Sequence, residues 1–238
     1  IYFKLQEECT MAKKKETVAK EKSANIFDEI AEKSGGEVVT NFSGVDYFID
    51  TGNLSVNWIA SGKLCTGGIP AGRITEIFGP SSSGKSLFAS NLLAACQRQN
   101  GYAIYLDAEN SFNVEWATRV SKIDPKKIIR YSLRSIPCLE DAFHKLYKVI
   151  ELIRERDKTA PIVAVYDSIS SSMSKRELKE LNLPDNFVDK KNKKIGISKE
   201  SIGERARIIS KEMRKLNSFL ELHSATAVIL NQTRLGNF

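Results

Sequence analysis

The sequence has no apolar stretch long enough to span a bilayer. It also lacks a basic start followed by an apolar core of the kind that marks a secretory leader. Both absences lead to the expectation of a soluble, cytoplasmic protein with no membrane partner. Cysteine is sparse: Cys9, Cys65, Cys96 and Cys138 are scattered without metal-ligand spacing. Reduced thiols are therefore expected, not a disulfide framework or a zinc site. Negative charge is in deficit, with 29 Asp and Glu against 36 Lys and Arg, a net charge of +7. That balance is compatible with a polyanionic partner without demanding one. What remains, 42% hydrophobic and 27% charged residues in 238, suits one large globular domain or a domain with appendages.

The most informative stretch is Gly79-Pro80-Ser81-Ser82-Ser83-Gly84-Lys85-Ser86, a full match to the phosphate-loop pattern G-x-x-x-x-G-K-[ST]. Arg73 to Phe78 before it reads as a buried strand, and Leu87 to Cys96 after it reads as a helix. Strand, glycine loop and helix bring backbone N–H groups to bear on an anion. The pattern assigns Lys85 to the β- and γ-phosphates and the Ser86 hydroxyl to Mg²⁺. A chance match in a Ser/Gly-rich loop is the competing reading, and the correct flanks on both sides weigh against it.

Ile1 precedes a more ordinary start at Met11, so residues 1–10 are read as upstream translated sequence or an expression remnant. Residues 1–23 are expected to be a disordered basic tail, either a DNA-touching arm or a solubilising one. Residues 24–42 read as an N-terminal helix-strand arm for self-association. In it Phe27, Ile30 and Ala31 lie at helical spacing, Gly35-Gly36 stops the helix, and Glu37 to Thr40 follows as a strand. Such an arm is too small to hold its own core and must pack on the main domain or on a neighbouring subunit. Residues 43–238 form the main domain. Leu54, Val56, Trp58 and Ile59 lead through a turn-rich Gly67-Gly68-Ile69-Pro70 into the phosphate-loop strand. Further strands are expected at 102–106, 127–131, 162–166 and 226–230. Helices are expected around Leu139, Phe143, Leu146, Ile150 and Ile153, and around Ile209, Met213, Leu216 and Leu220. Residues 174–201 break the pattern and read as charged and irregular. The alternation gives an α/β fold with a doubly wound, mostly parallel sheet.

In such sheets the working residues gather at the carboxyl ends of the strands. Those ends carry Gly79 to Ser86, Asp107 and Glu109, Asp167, and Asn231 to Arg234. Hydrolysing a nucleoside triphosphate needs a phosphate cradle, a metal, a positioned water and charge stabilisation. Asp167 is the expected Mg²⁺ partner of Ser86. The residue after it is Ser168, not a second carboxylate, so the base must come from elsewhere. Glu109 is the natural candidate and Asp107 the weaker one. A structural carboxylate at a helix N-terminus is the alternative for Glu109. Gln232, at a strand end, is placed to feel the γ-phosphate, with a solvent-exposed turn amide as the alternative. Trp116 is placed to stack on adenine, and ordinary helix packing explains it nearly as well.

Five stretches together resemble the RecA family of recombinases, bacterial and phage-encoded. They are Ile49 to Ser55, Gly72 to Ser86, Leu106 to Glu109, Ile202 to Leu216 and Ile229 to Arg234, with Asp167-Ser168 in order between them. The resemblance implies a P-loop NTPase core of RecA type with ATP and Mg²⁺ as cofactors. It implies DNA-dependent ATP hydrolysis, helical filaments on single-stranded DNA, pairing with double-stranded DNA, strand exchange and repair. By motif position it makes Lys85 and Ser86 the phosphate and Mg²⁺ contacts, Glu109 the catalytic glutamate, Gln232 the γ-phosphate sensor and Trp116 the adenine-stacking aromatic. One DNA loop would lie within residues 174–203 and a second would begin after Gln232. The DNA-contact candidates are Lys190, Lys191, Lys193, Lys194, Arg207 and Arg234. The lysine cluster suits sequence-independent phosphate contact; a solvated surface insertion is the competing reading. The chain stops at Phe238, inside the second loop, so the core is expected to be incomplete at that side. Two other readings stand beside this one: a different RecA-fold ATPase, such as a ring helicase or clock-type protein, and a truncated form that binds ATP without turnover.

Overall fold

The computed structural model describes residues 26–36, 38, 45, 47–181 and 199–233. Residues 1–44 and 45–238 form two compact units. The described part of the first is helix α1, residues 26–34, which ends at Gly35 with φ of +71°. Ile26, Phe27 and Ile30 are exposed on it. The strand expected at Glu37 to Thr40 lies outside the described residues except for Val38, which is not in a strand.

The second unit is built on five parallel strands in the order β3-β7-β6-β4-β5: β3 (Ile74–Gly79), β4 (Tyr102–Asp107), β5 (Ile128–Ser132), β6 (Ile162–Asp167) and β7 (Ala225–Gln232). A two-residue antiparallel ribbon, β1 (Phe48–Ile49) with β2 (Ile69–Pro70), precedes them. Strand alternation divides the interior into two layers. Ile104, Leu106, Ile162, Ala164, Tyr166, Ala225, Ala227 and Ile229 face helices α5 (Leu139–Arg156) and α7 (Lys199–Leu222). Ala103, Tyr105, Val163, Val165, Val228 and Leu230 face α3 (Lys85–Arg98) and α4 (Val114–Ser121). Central strand β6 is buried along its whole length because it is covered on both faces. The five apolar positions read on α5 are all buried.

Two helices differ from the reading of the sequence. Residues 54–61 form α2, started by Asn53, whose side chain accepts from the Ser55 and Val56 N–H groups, and ended by left-handed Gly62. Within it Asn57 is buried. It accepts from the Thr51 N–H and hydroxyl at 3.0 and 2.7 Å and donates to Asp50 at 2.8 Å. Residues 174–201 are not irregular throughout. Helix α6 (Lys175–Leu181) follows Ser174, and α7 already begins at Lys199. Ser174 and Glu177 form a reciprocal capping box. The Glu177 carboxylate accepts from the Ser174 N–H at 2.6 Å, and the Ser174 hydroxyl accepts from the Glu177 N–H at 3.2 Å. No helix among the described residues is long and apolar enough to cross a membrane.

Candidate functional site

Because all five strands run the same way, their carboxyl ends share one edge of the sheet. Backbone bonds draw those ends together. The Ala108 and Glu109 N–H groups donate to the Asp167 carbonyl at 2.8 and 3.3 Å, Ile169 N–H to Leu230 O at 3.2 Å, and Thr233 N–H to Gly79 O at 3.1 Å. The loop after β3, the turn after β4, the turn after β6 and the end of β7 are thereby pinned to one another.

The loop Gly79 to Ser86 joins β3 to α3. Ser82 and Gly84 both sit in the left-handed region, at φ of +61° and +88°. Gly84 is the N-cap of α3 and supplies no side-chain bond, so the first amides of the helix stay free to face an anion. Lys85 curls over the loop and donates to the Gly79 and Pro80 carbonyls at 3.0 and 2.7 Å.

Strand alternation sends Asp167 to the α3 side, with Val163 and Val165. There it accepts from the Ser86 hydroxyl at 3.0 Å and from the Tyr105 hydroxyl at 2.6 Å. Asp167 is buried, and that burial raises its carboxyl above the usual carboxylate range, against the lowering effect of its two hydroxyl donors. A buried carboxylate beside a hydroxyl is an oxygen-donor pair suited to a hard cation that retains other oxygen ligands. The residues fit Mg²⁺.

Glu109 lies just past the end of β4. Its Oε1 accepts from the Ser168 hydroxyl at 2.5 Å and from Gln232 Nε2 at 2.8 Å. Both bonds fall on one oxygen, which orients the carboxylate and leaves Oε2 for another proton. Asp107 is used differently. It is fully buried and holds the guanidinium of Arg130 at 2.6 Å, together with the N–H groups of Ser111 and Phe112 at 3.0 and 3.2 Å. It shapes the turn that carries Glu109. Trp116 lies in the first turn of α4, half-buried against the cluster around Tyr105 and Ala117. Arg207 is exposed on α7. Lys190, Lys191, Lys193, Lys194 and Arg234 lie outside the described residues.

The structure thus brings Gly79 to Ser86, Asp167, Glu109 and Gln232 to one edge. Sequence reasoning missed Tyr105, Ser170 and Arg205 there, and it noted Ser168 only as the place where a carboxylate was lacking. The run Ser168 to Ser172 after a buried strand was the available signal.

The family profile of the RecA N-terminal domain matches residues 26–236. The chain belongs to the RecA family. Among curated RecA-family relatives, Protein RecA of Oleidesulfovibrio alaskensis is 29% identical over 192 residues, covering 78% of this chain and 48% of that protein. Protein RecA of Chlamydia abortus is 32% identical over 186 residues, covering 78% and 45%. Protein RecA of Mesoplasma florum is 28% identical over 224 residues, covering 94% and 60%. The chain spans about half the length of the curated RecA relatives it matches.

Proposed function

We propose that this chain is the ATP-hydrolysing part of a DNA recombinase that assembles as a helical filament on single-stranded DNA and promotes homologous pairing, strand exchange and repair. The observation that carries the reading is the bond of Gln232 to Glu109. It joins the residue placed to activate water to the last residue of β7, beyond which the second DNA loop is expected.

Bound Mg²⁺-ATP would supply the labile phosphoanhydride and the charge that neutralises its oxygens. The chain does the rest. The amides of the loop and of the α3 N-terminus cradle phosphate oxygens, and Lys85 leaves its own loop carbonyls to bind the β- and γ-phosphates. Ser86 and Asp167 would hold the metal. Glu109, held at Oε1 by Ser168 and Gln232, takes the proton of the attacking water at Oε2. Trp116 stacks on the adenine. Gln232 can bond Glu109 or a γ-phosphate oxygen, so exchanging one for the other moves the end of β7 and the segment after it. Lys190, Lys191, Lys193, Lys194, Arg207 and Arg234 meet DNA phosphates. The protein works in the cytoplasm, with residues 24–42 serving self-association and residues 43–238 the ATPase core.

Electron microscopy with single-stranded DNA and a non-hydrolysable ATP analogue tests this reading. It predicts helical filaments; closed rings on DNA would overturn it in favour of a ring-type ATPase.

A further inference from the structure

The serine turn after β6 contains more hydroxyl groups than Glu109 needs. Ser168 has one hydroxyl proton, and the 2.5 Å contact commits it to Glu109. The 3.0 Å contact between Ser168 Oγ and Ser170 Oγ then needs the proton of Ser170. That leaves Ser170 Oγ as an acceptor, and the Gln232 N–H points at it from 3.4 Å. The bonds close a ring whose two arms both run from Gln232 as donor to Glu109 as acceptor: Gln232 N–H to Ser170, Ser170 to Ser168 and Ser168 to Glu109 on one side, and Gln232 Nε2 to Glu109 on the other.

One group from outside grips this ring. Arg205 Nη2 on α7 donates to the carbonyl of Ser170 and, at 3.4 Å, to that of Ile169. Charge-assisted bonds of this type are roughly twice as strong as neutral ones. An open pocket of about 470 Å³ lies between this part of α7 and the β3–β7 edge, bordered by Ile169, Ser170, Arg205, Ile209, Met213 and Asn231. Ile209 and Met213 also pack against the core. At the rim of this pocket the guanidinium of Arg205 links α7 directly to the backbone of the serine turn. Arg207, an exposed candidate for DNA contact, lies two residues along the same helix.

We propose that Arg205 is a positioning residue that carries the state of α7 to Glu109 through Ser170 and Ser168, by a route separate from the side chain of Gln232. The inference rests on the reading of the site as a DNA-coupled ATPase. An α7 displaced by DNA at its exposed face pulls the Ser170 carbonyl, re-aims the Ser168 hydroxyl, and so sets the orientation of the carboxylate that takes the proton.

The test uses the full chain as wild type, Arg205→Ala and Arg205→Lys. It measures steady-state ATP hydrolysis with a single-stranded oligodeoxynucleotide, and hydrogen exchange at the Ser171 and Ser172 amides with and without that oligonucleotide. Arg205→Ala is expected to lower kcat about tenfold with KM for ATP within about twofold, the pattern of lost alignment, not of lost binding. Arg205→Lys is expected to recover most of the rate. DNA should change exchange at Ser171 and Ser172 in wild type but not in Arg205→Ala. Unchanged kcat, a KM shift as large as the kcat shift, or the same DNA response of exchange in both proteins would overturn the inference. If wild type hydrolyses no ATP, the ATPase reading fails, and exchange alone decides the connection. A DNA response lost in Arg205→Ala upholds it, and an equal response or none in wild type overturns it. A general rise in exchange across α7 and the sheet in both variants would make Arg205 a fold residue and also overturn it.

Discussion

Gln232 Nε2 donates to Glu109 Oε1 at 2.8 Å, joining residues 123 positions apart in sequence. Their strands are not neighbours, since β6 lies between β4 and β7. The pair meets only because both side chains reach over the end of β6, where Ser168 bonds the same carboxylate oxygen. The carboxylate that would activate water and the amide that would report phosphate are thus in direct contact.

That contact separates two variants. Glu109→Gln removes the proton acceptor and keeps the shape, so ATP should bind within a few-fold of wild type while hydrolysis falls about 10²- to 10⁴-fold. Gln232→Ala leaves Ser168 to orient Glu109, so hydrolysis should persist with a weakened response to DNA, the remainder being carried through Arg205 and the serine turn. Phosphate release with and without single-stranded DNA, beside binding of a fluorescent ATP analogue, reads both. A Gln232→Ala protein that keeps its full DNA response would remove Gln232 from the coupling.

Lys85 now bonds the carbonyls of Gly79 and Pro80, so binding a phosphate exchanges two neutral acceptors for an anionic one. Lys85→Ala should weaken ATP binding by at least about tenfold, because a charge-assisted bond is lost. Ser86→Ala should remove much of the gain in affinity that Mg²⁺ gives. Calorimetric titration with ATP, with and without Mg²⁺, measures both effects. Equal affinity in wild type and Lys85→Ala would contradict the cradle.

At the opposite end of the sheet Arg154 is buried and donates to the carbonyls of His223 at 2.6 Å, Asp157 at 3.1 Å, Ala160 at 2.8 Å and Ser224 at 3.2 Å. It fastens the end of α5 to the turn between α7 and β7. Arg154→Ala strands several buried acceptors and should cost about 3 kcal/mol in urea unfolding. Arg154→Lys, with a point charge in place of a planar fork, should restore only part. A loss below about 1 kcal/mol in the alanine variant would show that the turn is held by other means.

The thiols give a pH test. Burial pushes the Cys96 and Cys138 thiols up to about 12 from an ordinary 9.0, whereas Cys65 is exposed. In the folded protein an alkylating agent near neutral pH should modify Cys65 and spare Cys96 and Cys138, as peptide mass spectrometry would show. Between the unfolded value of 9.0 and the folded value of about 12 the native state holds more protons than the unfolded chain. Stability is therefore present in full below that window and falls as pH rises through it. Rapid labelling of Cys96 in native protein, or a urea midpoint that rises across the window, would contradict the burial.

Much of the sheet was legible because its signals are local. A near-continuous apolar run marks β6, and the phosphate loop declares both its strand and its helix. Counting alternate residues puts Asp167 on the same face of β6 as Val163 and Val165, and the fold shows that α3 covers that face. What escaped depends on partners far away in sequence. Ser168 looked like the absence of a carboxylate, and only the fold shows that it supports one from another strand. Arg154, Arg205 and Asn57 are polar residues on helices, and nothing in their spacing says that backbone carbonyls or a buried threonine await them. Helix α6 was a different failure. Its capping box, Ser174 to Glu177, stood in the sequence, and the surrounding charge concealed it.

The measurement that bears most directly on the central claim is the rate of ATP hydrolysis by this chain with and without single-stranded DNA, with Glu109→Gln as the control for the chemistry. A rate that rises severalfold with DNA in wild type, and stays near zero with DNA in Glu109→Gln, is the result predicted. A wild-type rate indifferent to DNA, or a Glu109→Gln protein that hydrolyses ATP as wild type does, would contradict the account.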